Sequence, residues 1–428
     1  MTFRKLFITY LVIVCMFHGL FFDFYAYLAL EGVLPFHEMF TTFKDVVFII
    51  VLLVFVLRFL MVPQNIRIPN MIVLSYAIFF MYMISSLSKS YGDIGLLGSA
   101  LSIRNTFAYV PVLFMTLYAF REKKDIEAIA NLIVYITIVI NIYAILQFIF
   151  RYVSPYLIIT GNEWKAEHGY INSSFISYIE LSLFCNLAIF LLLSIRKYLV
   201  KKYLVLFAVI TSGIAILIIQ SRTGIIVLMM ILVISSVRYK IIKFRYIAAT
   251  ASLLILCLLL LPVISHLESH RLLQSNIFED VRFISVWAQL IPVSLDRIIF
   301  GHGMGYYGPS ATKAAELGNF SIETSYVDSS LISLFLNGGI IGLGLFLIFI
   351  FIVFRYLKKI TKICQDPFLK NLLKGIRLSI LIIVIYSVVF NCIDGFPGAI
   401  YFWFLLGIGI TIAQINKREQ NEKYCYSK

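Results

Sequence analysis

Arg222 is the only charged residue between Lys202 and Arg238, and it sits in Gln220-Ser221-Arg222-Thr223-Gly224 with apolar sequence on both sides. That placement predicts the tip of a helical hairpin. The descending arm, Ile225 to Val237, has 13 residues. At 1.5 Å per residue it is about 20 Å long, against a hydrocarbon core of roughly 30 Å. Either Arg238 snorkels along its stem and Arg222 is a headgroup anchor, or the turn is recessed and Arg222 is functional by its depth. Arg282 lies beside Asp280 on the polar side of an amphipathic stretch, where a local ion pair is the plainer reading. Arg104 and Arg297, taken singly, read as interfacial anchors. Together the four arginines fall in connections otherwise poor in positive charge, which predicts an anion site. The planar guanidinium fork matches phosphate or diphosphate oxygens.

A carboxylate stands nearby in sequence. Glu323-Thr324-Ser325-Tyr326-Val327-Asp328-Ser329-Ser330 leads straight into an apolar stretch. Asp328 at that boundary is costly unless paired. It reads as a helix N-cap, which leaves it ionised and still able to accept a proton. His302 and His18 have structural roles as their ordinary reading; we take His302 and Tyr326, with Arg104 and Arg297, as substrate contacts. His266 and His270 have a metal-binding spacing but no third ligand, so no metal or other cofactor is expected.

The elements that must position these residues are membrane helices. Twelve apolar stretches lie near 6–22, 45–62, 70–88, 103–120, 127–150, 176–195, 203–220, 223–238, 246–265, 329–354, 375–393 and 399–416. Their connections alternate between basic and non-basic. With a cytoplasmic amino terminus, 26 of the 36 Lys and Arg residues fall inside, as the positive-inside rule requires. The expected fold is an all-α polytopic membrane protein of about twelve transmembrane helices with both termini cytoplasmic. Residues 1–265 carry helices 1–9, 266–327 a large extracytoplasmic loop with amphipathic helices, 328–416 helices 10–12 and 417–428 a cytoplasmic tail. Within the loop, Val281, Ile284, Trp287 and Ile291 give Ile277–Phe300 a helical apolar stripe. Gly301 to Gly308 then reads as a flexible turn. Gly338, Gly339, Gly342 and Gly344 read as close helix packing.

Composition excludes other classes. A mean hydropathy of +0.95 with 61% hydrophobic and 14% charged residues leaves no soluble core with a solvated surface. The net charge of +14 sits mostly in the basic connections, which suits anionic lipid headgroups and not nucleic acid. The first stretch lacks a cleavage site and reads as an uncleaved anchor. None of the six cysteines forms a spaced pair in an outside loop, so no disulfide framework is expected.

Three elements occur in a telling order. They are Ser221-Arg222-Thr223-Gly224; Arg282-Phe283-Ile284-Ser285-Val286-Trp287 before Gly301-His302-Gly303-Met304-Gly305; and Asp328-Ser329 ahead of Gly339 and Gly342. This pattern resembles the O-antigen ligase/polymerase superfamily. Asp328 stands where ligases of that family carry His, so the chain looks most like a Wzy-type polymerase of O-antigen or capsular polysaccharide. His168-Gly169-Tyr170-Ile171-Asn172 is similar to a degenerate form of the family's first-loop pattern, which adds His168 to the substrate contacts.

The resemblance implies a bacterial cytoplasmic-membrane glycosyltransferase. It would join undecaprenyl-diphosphate-linked oligosaccharides on the outer face, with membrane lipids around it and a chain-length regulator and a flippase as partners. Arg222 and Arg282 would neutralise charge on the leaving diphosphate. Asp328, or Glu323 as second choice, would be the general base. Rival expectations are a ligase or protein glycosyltransferase of the same superfamily and, from another class, a flippase or transporter of the lipid-linked glycan.

Overall fold

The computed structural model describes residues 2–17, 19, 37–150, 171, 173–175, 177–199, 201–219, 221–237, 297–308, 311 and 327–426. The helices are α1 Phe3–Met16, α2 His37–Met61, α3 Asn70–Phe107, α4 Pro111–Ala119, α5 Lys123–Phe150 and α6 Tyr178–Ile195. They continue with α7 Lys202–Ile219, α8 Arg222–Val237, α9 Ser330–Ile363, α10 Pro367–Tyr386 and α11 Gly398–Tyr426. No strand occurs among the described residues. Six helical stretches there are long and apolar enough to cross a membrane, from Asn70–Ala119 to Gly398–Asn421. The protein is therefore a helical membrane protein by length and composition. The expected span at 246–265 lies outside the described residues, as does most of the 266–327 loop, including 277–296.

Apolar side chains cover the outward faces. Ile49, Leu53, Leu57 and Leu60 stand exposed along α2, and Met71, Leu74, Ile78 and Met81 along α3. Lipid tails solvate such faces as well as a core does, so burying apolar surface between helices gains little. What distinguishes the interior is small residues and hydrogen bonds. The Asn141 amide in α5 donates to Thr211 Oγ1 at 3.1 Å and to Ser212 Oγ at 2.8 Å in α7. Bonds of this kind are worth about 0.6 kcal/mol each on average. α6 is central, buried along nearly its whole length from Ile179 to Ile195.

The basic connections meet at one end of the bundle. There Arg4 pairs with Asp125, Lys123 reaches Asp366 at 2.6 Å and Gln414 donates to the Arg67 carbonyl at 2.8 Å. The turn before α8, the entry to α9 and the connection from α10 to α11 gather at the other end.

Two expectations about the chain path need correction. The stretch 89–102 was expected to be a connection, but α3 runs through it and bends only at Gly95, whose φ of 64° is not helical. Its serines lower the hydropathy without breaking the helix. Ser85, Ser86, Ser99 and Ser102 each donate to a carbonyl three or four residues back. α8 likewise begins at Arg222 and has 16 residues, about 24 Å, which is still shorter than a bilayer core.

Candidate functional site

Three helix starts converge on the last turn of α10, and each is capped by serine. Ser177 Oγ accepts from the Ile179 amide at 3.2 Å ahead of α6. Ser221 Oγ accepts from the Gly224 amide at 3.1 Å ahead of α8. Ser329 Oγ accepts from the Ile332 amide at 3.2 Å ahead of α9. The links to α10 are specific. The Tyr386 hydroxyl meets Ser182 Oγ at 2.6 Å and accepts from the Asn186 amide at 2.9 Å. Asn186 also donates to the Gly224 carbonyl at 3.2 Å. One residue on, the Ser387 carbonyl accepts from Ser329 Oγ and from the Leu331 amide, both at 3.0 Å.

Arg222 is therefore the first residue of α8, half-buried, in a turn fixed by α6 and α10. Its charge adds to the positive end of the helix dipole instead of offsetting it. A cation so placed lowers helix stability unless an anion shares the site, and helix starts favour anions. The sequence offered Asp328 as the cap of α9, but the cap is Ser329. The serine hydroxyl both accepts from the first turn and donates to Ser387, which an aspartate could not do. Asp328 stands just before the helix, half-buried.

The Gly301–Gly308 segment is a docked loop and not a flexible turn. α9 breaks at Gly339, with φ of 64°. The break frees backbone groups that residues 298–303 satisfy. The His302 and Gly303 amides each donate at 2.9 Å, to the carbonyls of Leu336 and Asn337, and the Ile340 amide donates to the Ile298 carbonyl at 2.8 Å. On the other side the Met304 amide donates to Ser86 Oγ at 3.1 Å, and Ser90 Oγ donates to the Met304 carbonyl at 2.7 Å. Non-helical backbone at membrane depth is tolerated only when satisfied in this way. Gly338 and Gly342 pack against Met83 and Tyr82 as expected of close helix contact, whereas Gly344 meets nothing within 4 Å. Helix packing therefore explains only part of the glycine run.

His302 is buried and stacks on Tyr306 at 5.2 Å between ring centroids. Arg297 is exposed beside Lys89 at an open hollow floored by Phe300, with the Lys89 ammonium 4.5 Å from the Phe300 ring centre. Arg104, in the last turn of α3, pairs with Asp45 of α2. Thus Arg222 and Asp328 are brought to one end of α10, and Arg297 and His302 share the docked loop. Arg282, Glu323, Tyr326 and His168 lie outside the described residues.

Sequence reasoning passed over a cavity of 60 Å³ between α3, α9, the docked loop and the α10–α11 connection. Its lining includes polar Ser102, Asn105, Thr106, Ser333, Asn337 and Asp394 and aromatic Phe79, Phe346, Phe349 and Trp403. Ser330 Oγ donates to Asp394 Oδ1 and accepts from the Ile393 amide at 3.2 Å. Burial pushes the Asp394 carboxyl up, against the Ser330 hydroxyl that holds it down. An acid directly after the eleventh apolar stretch was the available signal. Among the described residues no cluster of three or more His, Cys, Asp or Glu side chains could hold a metal ion.

Comparison with protein-family models, with curated proteins and with solved structures gives no match.

Proposed function

We propose that this protein is a bacterial cytoplasmic-membrane polymerase that joins undecaprenyl-diphosphate-linked oligosaccharide repeats into O-antigen or capsular polysaccharide. The observation that supports this best is the meeting of three serine-capped helix starts on α10, one of them carrying Arg222. The reaction expels a diphosphate, and charge builds on its oxygens as the anomeric bond breaks. Fixed arginine and helix starts stabilise such charge without a metal. In this reading Arg222 and Arg282 hold the diphosphate, Arg297 and His302 meet the substrate, and Asp328 and Glu323 are candidate bases. The basic end of the bundle faces the cytoplasm and the Arg222 end faces outward, with twelve spans in all.

A transporter of the same lipid-linked glycan is the second reading. It is favoured by two helices broken at glycine in nearly the same conformation, Gly95 (φ 64°, ψ −170°) and Gly339 (φ 64°, ψ −167°), since discontinuous helices mark many transport sites. Purified protein in detergent separates the two. Incubated with lipid-linked repeats extracted from cells lacking this gene, a polymerase yields a ladder of longer glycans. A transporter leaves the repeats unchanged, because detergent solution has no compartments.

A further inference from the structure

We infer that the cavity bounded by Ser102, Ser330, Asn337 and Asp394 receives the hydroxyl of the acceptor sugar, and that Asp394 takes its proton. The inference rests on the polymerase reading above and departs from it in the residue that acts as base.

Size comes first. The cavity offers 60 Å³ to the centres of water-sized spheres, where about 10–15 Å³ on that measure already holds one water. A sugar hydroxyl or hydroxymethyl group therefore fits. Chemistry comes second. The polar side chains offer hydroxyls, amides and one carboxyl, each able to accept from or donate to a sugar hydroxyl. Aromatic side chains complete the lining and can pack against the apolar face of a sugar.

Among the described residues, Asp394 is the one carboxyl in the lining, and no described Lys, Arg or His lines it. The other titratable groups facing the space are Tyr307 on the loop and Tyr76 on α3. Cys392 and, through it, Glu180 lie in the same electrostatic neighbourhood. Arg104, beside Asn105, is engaged by Asp45. No cation among the described lining residues quenches the basicity of Asp394, and burial raises it further. Both effects suit a general base better than an unperturbed surface carboxylate. Ser330 is the first residue of α9, and its hydroxyl fixes one carboxyl oxygen. Asp328, two residues earlier, is not part of the cavity wall.

The step balances as follows. The acceptor O–H gives its proton to Asp394, and the oxygen pair forms the new bond to the anomeric carbon. The bond from that carbon to the diphosphate oxygen breaks, and its electron pair leaves with the lipid diphosphate. The proton then passes from Asp394 to water or to the departed diphosphate, restoring the carboxylate.

The test uses reconstituted full-length protein and lipid-linked repeats extracted from cells lacking this gene, with polymer measured from pH 4 to 9. Asp394→Asn should lower kcat by about 10²- to 10⁴-fold, with a far smaller change in KM, and abolish the acidic limb of the profile. Ser330→Ala removes a bond that lowers the Asp394 pKa, so the acidic limb should move to higher pH. Asp394→Glu should retain a limb, and Asp328→Asn should leave the limb where it is. A limb that follows Asp328, or near-normal turnover by Asp394→Asn, overturns the inference while leaving the polymerase reading intact. If Asp394→Asn does not fold, the Ser330→Ala shift decides, and an unmoved limb counts against Asp394. No polymer from the unmodified protein overturns the polymerase reading and the inference together.

Discussion

The side-chain amide of Asn186 lies 3.2 Å from the Gly224 carbonyl and 2.9 Å from the Tyr386 hydroxyl. One buried group thus ties the start of α8 to α6 and to the end of α10. Its loss should be felt at Arg222, two residues from Gly224. Asn186→Leu is expected to cost about 1–3 kcal/mol in stability and to lower polymer formation beyond that loss. Asn141→Leu is the control, since it removes an equally buried amide from the α5–α7 contact. Equal effects of the two variants on activity, at equal melting temperature, would show that Asn186 only packs.

The fork of Arg222 matters to the proposed diphosphate site, and charge alone should not replace it. Arg222→Lys and Arg282→Lys are expected to abolish long polymer in cells at unchanged membrane level, leaving single repeat units. Full-length polymer from Arg222→Lys would make the residue a headgroup anchor.

Gly95 and Gly339 share a backbone conformation but not a neighbourhood. A Cβ on Gly95 meets nothing within 4 Å, whereas one on Gly339 runs into the Ile299 carbonyl. Gly95→Ala should cost about 1–3 kcal/mol from backbone strain alone. Gly339→Ala should cost clearly more, because the docked loop must also move. Thermal unfolding in detergent measures both, and equal losses would argue against docking at the break.

Asp366 and Lys123 give a pH signature. Burial pushes the Asp366 carboxyl up, but the Lys123 hydrogen bond and the Leu369 amide outweigh it, and the carboxyl sits below its usual 3.8. A depressed acid stabilises the folded state above its unfolded pKa and loses that contribution as pH falls through the folded one. Lys123, raised chiefly by its bond to Asp366, contributes below its unfolded pKa and loses this as pH rises through the folded value. The Lys123 side chain is 40% exposed and that of Asp366 18%, so solvent screens the pair and holds it to about 0.2–1 kcal/mol. The melting temperature of Lys123→Ala should therefore approach that of the unmodified protein as pH falls below 3.8 through the folded pKa of Asp366, and stay lower near pH 7. An unchanged difference between the two pH values would remove the pair from the account.

Sidedness is tested by fusion reporters. Those after Phe175 and near Gly318 should read extracytoplasmic, and those after Lys124, Lys202 and Lys362 cytoplasmic. A cytoplasmic signal at Gly318 would overturn the orientation and the outward-facing site with it.

Legibility in the sequence follows from range. The long apolar helices at 127–150, 176–195, 203–220, 329–354 and 399–416 were readable because twenty apolar residues in lipid have few alternatives to a helix. The helical hairpin around Arg222 was readable for the same reason. The continuity of α3 was not, because a serine bonded to its own helix and a serine in a turn lower hydropathy equally. Ser329 was hidden behind Asp328, since both cap well and only the contact to Ser387, 58 residues away, decides between them. Asp394 was visible as an acid at a span edge, but the cavity lining around it comes also from α3 and the docked loop. No local pattern carries such a meeting.

The pairing of residues 298–303 with the break in α9 bears on biogenesis. The loop is synthesised before α9, so its amides bond to water until the helix arrives. α9, for its part, cannot close its own hydrogen-bond ladder at Gly339 and leaves the insertion machinery incomplete. Each segment is the other's missing half. A chain ending before residue 340 is therefore expected to leave the loop undocked and open to added protease, where the full-length chain protects it.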